Sequence, residues 1–133
     1  MNPNYSLDVK YGSKGRSANV WLYGNNETTA QQWMLRKDSV GYITFVNVGS
    51  NKALDILNGK AKNGSNVQQY DVNNTYAQKW IAKKNTDGTL TFVSALDYNY
   101  VLDISSGKIT NTQNIQLYES NDSLAQKFKL TQV

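Results

Sequence analysis

The stretch LDILNGKAKNGSNVQQYDVNNTYAQKW, residues 54–80, decides the fold, because the chain carries it three times. Leu54-Asp55 has counterparts in Leu7-Asp8 and Leu102-Asp103, and Gly59 in Gly12 and Gly107. Asn66-Val67 matches Asn19-Val20 and Asn114-Ile115, Tyr70 matches Tyr23 and Tyr118, and Asn73 matches Asn26 and Asn121. Ala77-Gln78-Lys79-Trp80 matches Ala30-Gln31-Gln32-Trp33 and Ala125-Gln126-Lys127-Phe128. Every landmark keeps the same steps of 47 and 48 residues. A self-similarity at fixed period marks an architecture built from copies of one supersecondary unit. The units run over about residues 1–41, 42–88 and 89–133 of a single domain.

Within each unit the pattern is strand and turn. Residues 42–48 and 89–95 are rich in β-branched and aromatic side chains, the composition of a half-buried pleated surface. Further short strands are expected around Leu54-Asp55-Ile56, at 66–70 and at 78–81, punctuated by Asn58-Gly59, Asn63-Gly64 and Asp87-Gly88. No stretch holds a 3.6-residue apolar period long enough for a helix. Units this small cannot each enclose a core and must share one. Four strands per unit around a pseudo-threefold axis make an all-β fold, a β-trefoil. One strand is short, since only six residues precede Leu7. The first position of the barrel is therefore expected to be open, or the chain to be cut from a longer parent.

Composition removes most other readings. With no His and no Cys among 133 residues there is no Ser-His-Asp triad, no usual zinc site and no disulfide framework, and neither cofactor nor metal is expected. No apolar run approaches the length of a membrane span. Met1–Leu7 lack a charged and then apolar leader. The net charge of +4 is scattered, with Arg36-Lys37 and Lys83-Lys84 the adjacent pairs, both expected near hairpin turns. That is a solvated surface rather than a polyanion track.

The Gln-x-Trp signature at Gln31-Gln32-Trp33 and Gln78-Lys79-Trp80, with Gln126-Lys127-Phe128 as a departure, resembles the ricin-type lectin family. The likeness runs over essentially the whole chain. It implies a carbohydrate-binding β-trefoil with up to one shallow sugar site per repeat, most often for galactose or N-acetylgalactosamine. It also implies a module of a longer secreted or cell-surface protein, and the lack of Cys resembles bacterial members. In the family the Asp of the Leu-Asp motif binds sugar hydroxyls and the aromatic at Tyr23, Tyr70 and Tyr118 stacks on the ring.

The residues agree with that chemistry. A carboxylate accepts hydroxyl hydrogen bonds of the stronger, charge-assisted kind, an aromatic ring packs on the C–H face of a pyranose, and an amide supplies a donor and an acceptor. The candidate sugar-binding sets are Asp8, Trp21, Tyr23 and Asn26; Asp55, Gln68, Tyr70 and Asn73; and Asp103, Gln116, Tyr118 and Asn121. Ala30, Ala77 and Ala125 stand where the family often has Asn, and Asn26, Asn73 and Asn121 are the expected substitutes. Trp21 replaces the Gln of the other repeats, which ranks the first site behind the second and third. The Gln-x-aromatic residues themselves are read as structural, with the aromatics in the core and the amides satisfying nearby backbone.

Other functions fare worse. A glycoside hydrolase needs two carboxyl groups about 5–9.5 Å apart across one bond. The repeated Asp residues are related by the pseudo-threefold, and the local pairs Asp97/Asp103 and Glu119/Asp122 lack repeat support, so no catalysis is expected. The alternative is a heparin- or protein-binding β-trefoil, an inhibitor or growth-factor-like domain, for which the net charge is the sole support. No nucleic-acid recognition motif is present. The expected partners are glycans, either galactose-type sugars or plant and cell-wall polysaccharides.

Overall fold

The computed structural model describes residues 4–132. Ten strands follow in order among them: β1 (Tyr5–Val9), β2 (Val20–Gly24), β3 (Trp33–Lys37), β4 (Ile43–Asn47), β5 (Ala53–Ile56), β6 (Ser65–Tyr70), β7 (Trp80–Lys84), β8 (Leu90–Ser94), β9 (Tyr100–Ile104) and β10 (Ile115–Glu119). All pairings are antiparallel. Eight strands run in the order β3-β4-β5-β6-β10-β9-β8-β7, and an added β4–β7 pairing, Ile43 opposite Trp80, closes seven of them into a ring. Closure removes exposed sheet edges. The β1–β2 hairpin joins through bridges from Asn19 to Gln68 and from Trp21 to Asn114. The fold is the all-β trefoil expected from the repeat.

Among the described residues, the expected tally of four strands per unit is met in the second unit alone. Tyr5 and Ser6 lie in β1, the strand that carries Leu7-Asp8, and no strand precedes it among the described residues. Met1–Pro3, the rest of the segment before β1 apart from Asn4, lie outside them. In the third unit the last strand shrinks to one bridge, Leu90 opposite Phe128. The strand expected at 78–81 begins at Trp80, because Tyr76–Gln78 form a 3₁₀ turn that directs Gln78 into the interior.

Period-two alternation sorts each hairpin. Val9 faces Val20, Ile56 faces Val67 and Ile104 faces Ile115 across their ladders, and all six are buried. Phe45, Phe92, Trp80 and Phe128 fill the shared core, with Phe45 and Phe92 edge-to-face at 5.0 Å. Trp33, the first-repeat counterpart of Trp80, is half-buried. The ladder partners that cover its equivalents, Ile43 for Trp80 and Leu90 for Phe128, have no counterpart beside it among the described residues.

Three asparagines tie the units together. Asn19 Nδ2 donates to Asn114 Oδ1 at 2.9 Å, Asn114 Nδ2 to Asn66 Oδ1 at 2.9 Å, and Asn66 Nδ2 to Asn19 Oδ1 at 2.8 Å. Each amide gives one bond and takes one, so the ring is closed and contains one residue from each repeat. Gly12, Gly59 and Gly107 have φ of 62°, 61° and 65°, left-handed conformations that glycine adopts without steric cost. Arg36-Lys37 and Lys83-Lys84 end β3 and β7 at the mouths of hairpins, as expected.

Candidate functional site

Register places the site residues. Asp8, Asp55 and Asp103 lie directly opposite Trp21, Gln68 and Gln116 on the neighbouring strand. Side chains two apart on a strand share a face, so Tyr23, Tyr70 and Tyr118 flank the carboxylates diagonally. The structure thus brings each predicted Asp, its cross-strand partner and the aromatic onto one face in every repeat.

The carboxylates are buried and held by amides. Gln68 Nε2 donates to Asp55 Oδ1 at 3.1 Å, and Gln78 Nε2 to Asp55 Oδ2 at 2.9 Å. Gln116 and Gln126 do the same for Asp103, both at 2.9 Å. Two ionised oxygens offer about four acceptor positions, so roughly two remain for a ligand's hydroxyls. Gln78 also donates to the Asp71 carbonyl and accepts the Asn73 N–H, and Gln126 does likewise with Glu119 and Asn121. These glutamines were read from sequence as backbone satisfiers. They also aim the carboxylate, which a residue-by-residue reading missed. The signal was available in their invariant 23-residue spacing from the Asp, seen at Asp8/Gln31, Asp55/Gln78 and Asp103/Gln126.

Asn26, Asn73 and Asn121 are exposed, and their carbonyl oxygens are committed to the next turn. Asn73 Oδ1 accepts from the Thr75 N–H and hydroxyl, Asn26 Oδ1 from those of Thr28, and Asn121 Oδ1 from the Ser123 N–H. A ligand would meet the amide NH₂ groups.

The three sites differ. In the first, Trp21 Nε1 donates to Asp8 Oδ2 at 2.6 Å, taking the role of the missing glutamine. Trp21 stacks on Tyr23 with centroids 5.8 Å apart, and Tyr11 meets it edge-on at 5.5 Å. Lys10 Nζ lies 5.3 Å from the Tyr11 ring and 5.4 Å from that of Trp21. Asp8, Tyr11, Trp21 and Tyr23 line a cleft of about 720 Å³ together with Asn26 and Thr29. In the second site the Arg16 guanidinium, paired with Asp71, covers one face of Tyr70 at 5.6 Å. In the third, Tyr118 is exposed. The first repeat, ranked last from sequence, therefore has the developed aromatic cleft. A separate polar cleft of about 380 Å³ lies at Asp97–Tyr100, Glu119 and Ser120, away from the repeated Asp residues.

Tyr11 is a wall of the first cleft that sequence reading missed. It has φ of 58°, and Asn58 and Ser106 hold the same place at 60° and 59°. A bulky aromatic there is an outlier, and such outliers gather at functional sites. An aromatic aligned with Asn and Ser one residue before an invariant Gly was the available cue.

Burial raises the carboxyl pKa of Asp8 and Asp55 above the ordinary 3.8, outweighing the hydrogen bonds of Trp21 and Gln31 to the first and of Gln78 and Gln68 to the second. The contribution of each to stability is fully present below the unfolded value of 3.8 and lost as pH rises through the folded value. Hydroxyl binding needs the ionised form. Acidification is thus expected to weaken a sugar complex at a higher pH than an ordinary carboxylate would, while the stabilising contribution of these two groups grows. Parallel titrations of affinity and denaturation midpoint across this range check the opposed signs.

Among the described residues no helix is long and apolar enough to cross a membrane. The ricin-type beta-trefoil lectin domain-like family model matches residues 2–70 and 29–118. The chain belongs to that family. This trefoil lectin domain is similar to the designed three-fold symmetric protein ThreeFoil, at 29% identity and TM-score 0.92 over 96% of this chain and 90% of that one. It also matches an exo-beta-1,3-galactanase from Clostridium thermocellum, at 29% identity and TM-score 0.91, over 96% of this chain and 27% of the enzyme. The C-half of the earthworm R-type lectin, solved in complex with GalNAc, shares the fold at 21% identity and TM-score 0.67, over 92% of this chain and 86% of that one. No curated protein sequence matches the lectin domain. Family and fold support carbohydrate binding and a non-catalytic module.

Proposed function

We propose that this domain binds galactose- or N-acetylgalactosamine-type sugars at up to three shallow sites, without catalysis, and holds a longer secreted or cell-surface protein on glycans. The observation that carries the reading is the threefold recurrence of a buried carboxylate, clamped by amide or indole N–H groups, beside an aromatic ring on the same sheet face. A carboxylate fixed in this way can accept two neighbouring hydroxyls while the ring takes the C–H face. The galactanase supports the galacto series, since this chain corresponds to about a quarter of that enzyme. The cleft at Asp8, Trp21 and Tyr23 is the leading site, and the other two add multivalency. Single sites of this kind bind at about 1 mM, or −4 kcal/mol, and linking them on a polyvalent glycan raises the effective affinity.

Titration calorimetry with galactose, N-acetylgalactosamine and lactose tests the reading. Saturable heat with more than one site per chain is expected. Asp8→Ala should remove one class of site, and Asp55→Ala with Asp103→Ala the others. Each lost charge-assisted bond is worth about 1.5–3 kcal/mol, enough to take millimolar binding out of range. Unchanged binding in a folded triple variant would remove these residues from the account. Retention on heparin-agarose but not on galactose-agarose at physiological salt would replace the sugar reading with a polyanion one.

A further inference from the structure

Beyond the clamped carboxylates and their partners, the second repeat and the opening of the third expose an aromatic cluster that the trefoil itself does not require. Tyr42 lies just ahead of β4, Tyr76 in the 3₁₀ turn before β7, and Tyr98 in the connection between β8 and β9. The Tyr42 and Tyr98 hydroxyls are hydrogen-bonded at 2.8 Å, and Tyr42 meets Tyr76 edge-to-face at 6.0 Å. Lys79 Nζ lies 5.8 Å from the Tyr42 ring and 5.6 Å from the Tyr76 ring, and pairs with Asp38 at 3.3 Å. The lysine side chain is 15% exposed, whereas Tyr76 and Tyr98 are 58% and 61% exposed. The charged pair therefore anchors the rings while leaving much of their surface to solvent.

Fold maintenance does not explain this arrangement. The counterpart of Tyr42 in the third repeat is Thr89, and those of Tyr76 are Thr29 and Leu124, so the strand start at Tyr42 and the turn at Tyr76 are built elsewhere in the chain without a ring. Exposed aromatic clusters mark binding surfaces, and tyrosines held in place before binding save ordering entropy. The cluster is also joined to the Asp55 site through one 3₁₀ turn. Tyr76 lies two residues before Gln78, whose amide holds Asp55, and its first-repeat counterpart Thr29 lines the Asp8 cleft.

We propose that Tyr42, Tyr76 and Tyr98 form an extension subsite that takes a further pyranose of a glycan chain whose neighbouring sugar occupies the Asp55 site. This rests on the sugar-binding reading of that site. The rings offer C–H stacking faces, and their hydroxyls with the Lys79–Asp38 pair offer donors and acceptors for sugar hydroxyls. Alone of the three repeats, the second would then distinguish a chain from a single sugar.

The test is NMR of the tyrosine ring signals in the full chain, titrated with galactose and with β-1,3-linked galactotetraose. Galactose is expected to shift Tyr70 and leave the cluster unmoved. The tetrasaccharide should shift both and bind the second site about tenfold tighter, a difference of about 1.4 kcal/mol. Tyr76→Ala with Tyr98→Ala should return its affinity there to that of galactose, with the Tyr70 response and the melting temperature retained. A tetrasaccharide that shifts Tyr70 but not the cluster overturns the subsite and leaves the sugar reading standing. No response at either place with either sugar overturns both. Cluster shifts that follow protein concentration instead assign the patch to a contact between copies and overturn the subsite.

Discussion

Trp80→Ala is expected to destabilise the fold by about 3–5 kcal/mol, the usual cost of truncating a buried large aromatic. Trp80 is fully buried, packs against Phe45 at 6.4 Å, and lies opposite both Ile43 and Ser94. The Ile43 pairing closes the ring of strands, so the cavity opens where the barrel is sealed. Domains have about 5–15 kcal/mol of net stability, and the variant would lose a large share of it. The urea midpoint should fall with little change in slope. Trp33→Ala provides the comparison. Its ring is half-buried and its indole N–H reaches the Leu7 carbonyl at 3.2 Å, so the loss should be clearly smaller. Equal losses would show that burial at the seam is not what distinguishes the two repeats.

Gln78→Leu should cost a similar amount for a different reason, and should also silence one sugar site. Leucine keeps the volume and loses three bonds: Nε2 to Asp55 Oδ2 at 2.9 Å, Nε2 to the Asp71 carbonyl at 2.8 Å, and Oε1 from the Asn73 N–H at 3.0 Å. The Asp55 carboxylate stays buried with Gln68 as its remaining partner. Leaving a buried charge short of partners typically costs about 3–5 kcal/mol. The carboxyl can escape by taking up a proton, so the deficit relative to wild type should shrink as pH falls. Denaturation midpoints at neutral and acid pH check the sign. Calorimetry should show the second site gone and the Asp8 and Asp103 sites kept. A deficit independent of pH would mean that the lost bonds to backbone, rather than the carboxylate, dominate.

Much of this was legible from the residues. The 47- and 48-residue steps specify a shared core, and period-two alternation puts Tyr70 on the same face as Gln68. Both follow from local geometry, in which sequence spacing translates directly into direction. The landmark Asn19, Asn66 and Asn114 was visible as a repeat, but its meaning was not, because the amides meet only when the three units surround one axis.

What departs from the repeat was left to the tertiary structure. Arg16 reaches from the first unit to cover Tyr70 of the second. Gln69 takes the core position held by Leu22 and Leu117, and is buried because Ser50 and the Ser13 and Gly15 carbonyls satisfy its amide. Tyr42, Tyr76 and Tyr98 gather from three separate segments. A periodic pattern reports what three copies have in common, so by itself the sequence determined the trefoil and the location of its three carboxylates. Which carboxylate lies in an aromatic cleft, which ring is covered and which tyrosines meet depend on contacts between segments far apart in the chain. Only the packed structure brings those segments within reach of short-range forces.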